Sequence, residues 1–347
     1  MQTGGLFNLI IYSKKGERGD YIRSLANKII QKFPSRLLFV LVDPNQKPDY
    51  FQTTVSQEPH PGHPQGMACD SIEIILGESA QQIAPLLILP HLISDLPVYL
   101  LWMLDIKENS LSKELERLAQ RIIFDSEAAE DLPAFARSAL NHYKQAGCAI
   151  ADLNWARMES WRDLLASTFS PQDQLRALEK SKEIHLTYNM IPSPHLCHTR
   201  VQAIYLMAWL ASRLNWRFEH LTNDRKDLSF FYTNNSTPVI ITLSSASCTS
   251  LSPGTIMSMH LTTTDHASFT FTRHLDFPHQ ITLEITTPDQ CYLPSQFIFA
   301  KGEAGGSLLK EVLHKGTSAH FLNVLEHISQ LPLLCPNGKN SSSQGIV

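Results

Sequence analysis

The sequence lacks the basic surplus that a general nucleic-acid binder normally carries. Lys and Arg number 29 against 33 Asp and Glu, so the formal net charge is −4 and the pI is about 6.4. Nucleic-acid binding usually requires positive charge gathered on one surface. We therefore expect no nucleic-acid partner.

Cysteine is also scarce, with six residues spread through a chain of 347. Small secreted domains that rely on disulfides are much denser in cysteine. The chain opens without the charged start and short apolar stretch of a secretory signal. These features indicate a cytoplasmic protein.

Long apolar runs are limited to one segment, residues 83–104, which reaches the length of about 20 residues that a membrane span needs. Three prolines interrupt it, and Asp95 would lie in lipid at a high cost. We therefore predict two core elements joined by a turn at Ser94-Asp95-Leu96-Pro97, and no membrane partner.

The remaining composition is that of a globular protein, with 43% hydrophobic and 18% charged residues. At roughly 150 residues per domain, the length predicts about two domains. In residues 1–150, apolar runs without clean alternation are separated by helical segments, which is typical of a parallel sheet covered on both faces. The predicted strands are 6–12, 37–42, 72–76, 98–103 and 122–124, and the predicted helices are 18–32, 109–119 and 128–145.

The pattern changes after residue 150. We predict an α/β domain with a mainly parallel sheet at 1–150, a helical connector at 151–183, an α+β domain at 184–333 and a flexible tail at 334–347. The α+β domain is rich in Ser and Thr, poor in charge and divided by turn residues, which indicates an antiparallel sheet. A helix at 306–329 is expected to pack on that sheet. The proline-rich segment 44–68 is predicted to be a surface loop.

Motifs for catalysis are missing. The chain has no GxxxxGK[ST], no GxGxxG after a strand, no HExxH, no CxxC and no GxSxG. The cluster at His195, Cys197 and His198 and the pair His60 and His63 lack the four convergent ligands that zinc usually takes. We therefore predict no catalytic residues, no metal site, no cofactor and no enzymatic activity.

The informative segment is Asp152–Phe169. Asp152 is placed to cap a helix that starts near Leu153. At 100° per residue, one stripe of this helix carries Trp161, Leu164, Leu165 and Thr168.

A second stripe carries Trp155, Glu159 and Arg162, and Arg157 lies one turn before Trp161, near enough to stack on its indole. Each stripe carries a tryptophan, so the helix has a large aromatic residue on two sides. Two explanations for this are open. Either the chain's own domains cover both sides, because a buried Trp is ordinarily a core residue, or one side binds a partner, because Trp and Arg dominate interface hot spots. The candidate partner-binding residues are Trp155, Arg157, Trp161 and Arg162.

These residues resemble the signature of a known family. Asp152–Arg157, followed by Trp161–Ala166, is similar to the double-tryptophan segment of the glucose-6-phosphate dehydrogenase assembly protein family (OpcA). Phe33–Arg36, Leu86–Trp102 and Ala208–Trp216 resemble further family segments in the same order. The likeness spans about residues 1–220. Met103 and Asn215 depart from the family pattern, and no closely spaced cysteine pair matches the redox control of its photosynthetic members.

The resemblance implies a non-catalytic partner that binds glucose-6-phosphate dehydrogenase and either promotes its active oligomer or activates it allosterically. Two alternatives are open. One is a sugar-phosphate or nucleotide enzyme that uses the N-terminal domain, with Lys14, Lys15 and Arg36 as anion ligands. The other is an interaction protein with an unrelated partner.

Overall fold

The structure, a computed structural model, describes residues 6–33, 35–59, 68–106, 112–192, 198–224, 227–299 and 306–334. The chain divides into two units that interleave along the sequence. The first unit comprises Met1–Ala129, Phe135–Ala156 and Gly302–Ala319, and the second comprises Glu130–Ala134, Arg157–Lys301 and His320–Val347. The predicted contiguous domains at 1–150 and 184–333 remain predictions.

The first unit is built on a seven-stranded sheet with the order β3-β4-β2-β1-β5-β6-β7. β3 pairs with β4 antiparallel and the other neighbours are parallel, which confirms the predicted mainly parallel sheet. The strands are β1 (Asn8–Lys14), β2 (Arg36–Val42), β3 (Phe51–Pro59), β4 (Ala68–Leu76), β5 (Val98–Trp102), β6 (Arg121–Phe124) and β7 (Ala149–Asp152).

Ten α-helices occur among the described residues, most of them within segments that the sequence predicts to be helical. They are α1 (Glu17–Lys32), α2 (Ala84–Ile88), α3 (Lys113–Leu118), α4 (Leu132–Ala146), α5 (Leu153–Arg157), α6 (Glu159–Thr168), α7 (Gln172–Glu179), α8 (Val201–Arg213), α9 (Gly306–Leu313) and α10 (Ala319–Ser329).

The apolar segment 83–104 folds as predicted, with α2 and β5 on either side of a turn at 94–97. The side chain of the buried Asn8 holds this turn: its Nδ2 donates to the carbonyl oxygens of Ile93 and Leu96, and its Oδ1 accepts from the Ile93 N–H at 3.0 Å. No helix in the described ranges is long and apolar enough to cross a membrane.

The predicted loop at 44–68 is wrong in its middle, because β3 runs from Phe51 to Pro59 at the edge of the first sheet. Residues 51–56 of β3 are exposed on both faces of the strand. The alternation of buried and exposed residues by which a strand is usually recognised is therefore missing. An edge strand of this kind forms through its ladder with β4, which local composition does not reveal. Residues 60–67 lie outside the described ranges.

The second unit contains an eight-stranded sheet with the order β15-β14-β13-β12-β8-β11-β10-β9. It is mostly antiparallel, as predicted, but β8 and β11 are parallel. A parallel pair needs a long crossover, and α8 lies within the connection between these strands. The strands are β8 (Ser181–Asn189), β9 (Arg217–Asp224), β10 (Asp227–Asn234), β11 (Thr237–Ala246), β12 (Ile256–Thr263), β13 (Ser268–Arg273), β14 (Gln280–Thr286) and β15 (Ser295–Ile298).

The single helix predicted at 306–329 is wrong, because α9 and α10 are separate and belong to different units. Gly316, at a φ of +73° that favours glycine, lies between them. Leu308 and Val312 of α9 pack into the core of the first unit, and Glu311 forms a buried ion pair with Arg121. Most of the predicted tail, from residue 335 onward, lies outside the described ranges.

Candidate functional site

Asp152 caps α5 as the sequence predicts. Its Oδ1 accepts hydrogen bonds from the backbone N–H groups of Asn154 at 2.7 Å and Trp155 at 3.1 Å. Asp152 is the last residue of β7, so the cap begins the helix directly at the carboxyl end of a parallel strand. This is the edge at which open parallel sheets usually place functional groups.

A buried polar network surrounds the cap. The Ser126 N–H donates to Asp152 Oδ2 at 2.8 Å, and the Ser126 hydroxyl donates to Oδ1 at 3.0 Å. Asn154 Nδ2 donates to Ser126 Oγ at 3.0 Å and lies 3.4 Å from Asp125 Oδ1. The network therefore joins the carboxyl end of β6 to the start of α5, so that the backbone of the signature segment has one defined position.

Asp152 sits in this network without exposure to solvent. Burial, and then repulsion from the carboxylate of Asp125, raise the pKa of Asp152 to about 7. The hydrogen bonds from Ser126 and Trp155 act in the opposite direction, because they stabilise the carboxylate. Loss of water outweighs them, so the neutral acid is populated near neutral pH.

The helix predicted to start near Leu153 is interrupted at Met158. α5 ends at Arg157 and α6 begins at Glu159, and the buried Met158 has φ −91° and ψ +1°. This break separates Trp155 from Glu159 and Arg162, so the predicted stripe of these three residues does not lie on one continuous helix and stays a prediction.

The other predicted stripe is confirmed as part of the core of the second unit. The buried residues of α6 are Trp161, Leu164, Leu165 and Thr168. The Trp161 ring lies edge-on to Phe299 at 5.5 Å and to Phe271 at 6.5 Å between centroids. The guanidinium of Arg273 lies 5.7 Å from its ring centroid.

Trp155 lies in the first unit and is also buried, at 6% exposure. Arg157 and Arg162 are only half-buried. The structure thus places the two tryptophans in different units and leaves part of each arginine accessible. That any of the four residues binds a partner remains a prediction.

The charges of two arginines, Arg162 and Arg213, act on His320 within the second unit. Partial desolvation, and then the charges of Arg213 and Arg162, lower the pKa of His320. Arg213 and His320 are exposed, and the three side chains come from α6, α8 and α10. Sequence reasoning missed Arg213 and His320, because this electrostatic interaction involves three helices that are distant along the chain.

The sequence also missed the partners of Asp152 in the capping network. Asp125 and Ser126 directly follow the predicted strand 122–124, and Asn154 follows Asp152 by two residues. Parallel strands bring their carboxyl ends to one sheet edge. Recognition of both strands would therefore have placed Asp125 and Ser126 near Asp152. β7 has four residues and was not predicted.

Two of the three anion ligands that the enzyme alternative names, Lys15 and Arg36, have partners in the protein. Lys15 Nζ lies 2.9 Å from the carboxylate of Asp43, at the end of β2. Arg36 Nη1 donates to the carbonyl oxygen of His91 at 3.0 Å. Asp43 is almost completely buried, and this pairing lowers its pKa, mainly through the hydrogen bond from Lys15.

No group of three or more His, Cys, Asp or Glu side chains that could hold a metal occurs in the part of the chain that the structure describes. His60, His63, His195 and Cys197 lie outside that part. Cys148, Cys248 and Cys291 are free thiols. Burial raises the pKa of Cys148, whereas a hydrogen bond with Ser250 lowers that of Cys248.

Two family models match the chain. The model described as the glucose-6-phosphate dehydrogenase subunit N-terminal domain, from the OpcA assembly family, matches residues 26–140. The corresponding C-terminal domain model matches residues 148–318. The boundary between the two models falls just before β7 and the signature segment.

Curated relatives carry the name putative OxPP cycle protein OpcA. The protein from Nostoc punctiforme is 31% identical over 131 residues, which cover 36% of this chain and 26% of that protein. The protein from Synechococcus elongatus is 26% identical over 153 residues, which cover 44% and 32% respectively. The matched segments thus span less than a third of these relatives' own length.

One solved structure shares the fold at low sequence identity. KijD10, a 3-ketoreductase from Actinomadura kijaniata, superposes with a TM-score of 0.52 and 10% identity, covering 93% of this chain and 95% of that one. At this identity the likeness concerns the fold alone.

Proposed function

We propose that this chain, which belongs to the OpcA family of glucose-6-phosphate dehydrogenase assembly proteins, binds glucose-6-phosphate dehydrogenase as a non-catalytic partner. In this role it promotes the dehydrogenase's active oligomer and acts as its allosteric activator. The observation that carries the proposal is the match of both family models, which together extend from residue 26 to 318. The curated relatives are named for the OxPP cycle, and we assign this chain to the same pathway.

Activation sets a thermodynamic requirement. An activator shifts a dehydrogenase toward its active state only if it binds that state more tightly than the inactive one. A typical coupling free energy is about 1–3 kcal/mol, or roughly 5–150-fold in affinity. A contact surface confined to one state of the enzyme would supply this difference.

We place the contact on the second unit, around Arg162. The charges of the half-buried Arg162 and the exposed Arg213 both act on the exposed His320. Arginine is enriched at interface hot spots, and charge complementarity steers association. We expect the docking surface of the dehydrogenase to be acidic. Trp155 and Trp161 are buried in their own units, so in this proposal they hold α5 and α6 in place.

The enzyme alternative has less support. Lys15 is paired with Asp43, and Arg36 donates to a backbone carbonyl, so two of its three anion ligands already have partners in the protein. A glycine-rich dinucleotide fingerprint is also missing after β1. The chain alone is therefore expected not to reduce NADP with glucose 6-phosphate.

The test is steady-state kinetics of the cognate dehydrogenase with and without this protein. We expect a lower apparent KM for glucose 6-phosphate, a larger oligomer by light scattering, or both. Unchanged kinetics and unchanged mass at a saturating amount of this protein would reject the proposal. NADPH formation by this chain alone, free of dehydrogenase contamination, would support the enzyme alternative instead.

A further inference from the structure

The hairpin turn that joins β13 to β14 exposes large apolar side chains. Two backbone hydrogen bonds close the turn: the His274 N–H donates to the Gln280 carbonyl oxygen at 2.9 Å, and the Gln280 N–H donates to that of Phe277 at 2.8 Å. Turns are ordinarily built from Gly, Pro, Asn, Asp and Ser. Here Leu275 is 48% exposed and Phe277 is 66% exposed, so two side chains of a type that is usually buried face solvent.

The end of β15 extends this surface. Ile298 pairs with Gln280 in the strand register, and the Phe299 N–H donates to the carbonyl oxygen of His279 at 2.7 Å. β15 is the outermost strand of the sheet, with Ile298 exposed and Phe299 half-buried. Apolar residues of the turn and of the sheet edge are therefore neighbours, whereas the exposed apolar residues of ordinary surfaces are scattered singly.

Arg273, the last residue of β13, adjoins this surface. Its guanidinium lies 5.7 Å from the ring centroid of Trp161 and 5.3 Å from that of Phe299, within the range of cation–π attraction. Its Nε donates to the Ile256 carbonyl oxygen at 2.8 Å, and its Nη1 donates to that of Pro278. These contacts fix the position of the guanidinium and join it to the exposed turn.

The charge of Arg273 has no acidic partner among the described residues, because its hydrogen bonds there go to backbone carbonyl oxygens. Burial lowers the pKa of Arg273 to about 10, with no contribution from a carboxylate. A guanidinium has five N–H donors, and the two carbonyl oxygens leave several of them for another acceptor. A partly buried guanidinium is stabilised when a carboxylate takes that place, so a carboxylate is the electrostatic complement of this surface.

We propose that this surface is a docking site for a protein segment in which a carboxylate side chain is flanked by apolar side chains. We call it the Arg273 patch and define it by Arg273, Leu275, Phe277, Ile298 and Phe299. The carboxylate of the segment accepts hydrogen bonds from Arg273, and its apolar side chains cover Leu275 and Phe277. Arginine and aromatic residues are enriched in the cores of protein interfaces.

The occupant that we assign is a surface segment of glucose-6-phosphate dehydrogenase, so this inference rests on the proposed function and adds a second contact to it. The helix that carries Arg162, α6, also carries Trp161, whose ring lies against Arg273 and Phe299. An acidic docking surface on the dehydrogenase complements both arginines. The Arg273 patch differs from the contact at Arg162, because it also requires apolar side chains beside the acid.

The test is the affinity of the full chain for the dehydrogenase, measured by biolayer interferometry on variants whose folding is checked by circular dichroism. Phe277→Ser removes an exposed ring and should weaken binding by roughly tenfold or more, because aromatic residues dominate interface hot spots. Leu275→Ser should weaken binding less. The matched control is Phe51→Ser on β3, a phenylalanine in the other unit that is 54% exposed, and it should bind like the wild type.

Arg273→Gln tests the carboxylate. This variant should bind roughly 30-fold more weakly, and its affinity should depend less on salt than that of the wild type, because one ion pair is lost. If Arg273→Gln fails to fold, Arg273→Lys replaces it. Lysine keeps the charge but lacks the planar fork that matches a carboxylate, so this variant should also bind more weakly than the wild type.

The outcomes separate this inference from the proposed function. A wild-type chain that does not bind the dehydrogenase would reject both. If the wild type binds, and Phe277→Ser and Leu275→Ser bind equally well, only the Arg273 patch is rejected. Equal losses in Phe277→Ser and Phe51→Ser would also reject the patch, because the loss would not be specific to it. An unchanged salt dependence in Arg273→Gln would overturn the assignment of a carboxylate.

Discussion

Each unit of this protein buries a titratable side chain, and burial has opposite consequences for the two. In the first unit, burial raises the pKa of Asp152 to about 7. In the second, burial lowers the pKa of His327 to about 4. Both environments favour the uncharged form, but an acid is uncharged at low pH and a base at high pH. Loss of water therefore makes one unit sensitive to a rise in pH and the other to a fall.

The two residues are held by different kinds of contact. Asp152 accepts hydrogen bonds from several donors at the end of β7. His327 stacks on Tyr232 at 5.4 Å, with its Nε2 3.0 Å from the hydroxyl, and that hydroxyl lies 2.8 Å from Met207 Sδ. The first site supports the start of α5, and the second joins α10 to the sheet core.

The largest expected effect is a loss of stability from a substitution in the second unit. Trp161→Ala removes a buried ring that contacts Phe271 and Phe299, and the cavity should lower the free energy of unfolding by roughly 3–5 kcal/mol. Chemical denaturation followed by circular dichroism measures this loss. Trp161→Phe should cost less, because the indole Nε1 has no hydrogen-bond partner among the described residues. A denaturation curve of Trp161→Ala like that of the wild type would contradict the assignment of Trp161 to the core.

Asp152→Asn tests the first unit's response to pH. Because the folded pKa of Asp152 is raised above its ordinary 3.8, its contribution to stability is fully present below about pH 4 and is lost as pH rises through about 7. The loss amounts to at most about 4 kcal/mol. Unfolding free energies at pH 5 and pH 8 should differ less in Asp152→Asn than in the wild type. An equal difference in both proteins would show that another group carries the pH dependence.

His327→Gln tests the opposite dependence of stability on pH in the second unit. The folded pKa of His327 lies below its ordinary 6.5, so its contribution is present above about pH 6.5 and is lost as pH falls through about 4. This change is at most about 3 kcal/mol. Glutamine keeps a donor for Tyr232 and carries no titratable proton, so the variant should lose less stability between pH 7 and pH 4. An equal loss of stability in the variant and the wild type over that interval would show that His327 does not carry this pH dependence.

Arg162→Ala should have the smallest effect on folding and the clearest effect on function. Its side chain is only half-buried, so we expect a stability change below about 1 kcal/mol. Loss of a hot-spot arginine costs about 2 kcal/mol of binding, so activation of the dehydrogenase should require roughly 30-fold more protein. Asp163→Ala, at the exposed neighbouring position on α6, serves as the control. If Arg162→Ala activates like the wild type, the interface lies elsewhere.

The local features of this protein follow from the sequence by itself. The continuous apolar runs predict β1, β2 and β5, because a strand buried on both faces needs apolar residues at every position. The Asp152 cap and the buried stripe of α6 are also predicted, because capping and helical periodicity depend on residues within a few positions of one another. The family resemblance rests on these same local segments.

Only the tertiary structure decided the features that depend on distant partners. The polar edge strand β3 exists through its ladder with β4, the parallel pairing of β8 with β11 needs a crossover, and α9 buries Leu308 and Val312 in the core of the first unit. Met158 ends α5 although the flanking sequence has helical spacing. The electrostatic effect of Arg162 and Arg213 on His320 has the same origin. Contacts between residues that are distant along the chain determine all of these features. No local sequence pattern shows which distant residues will meet.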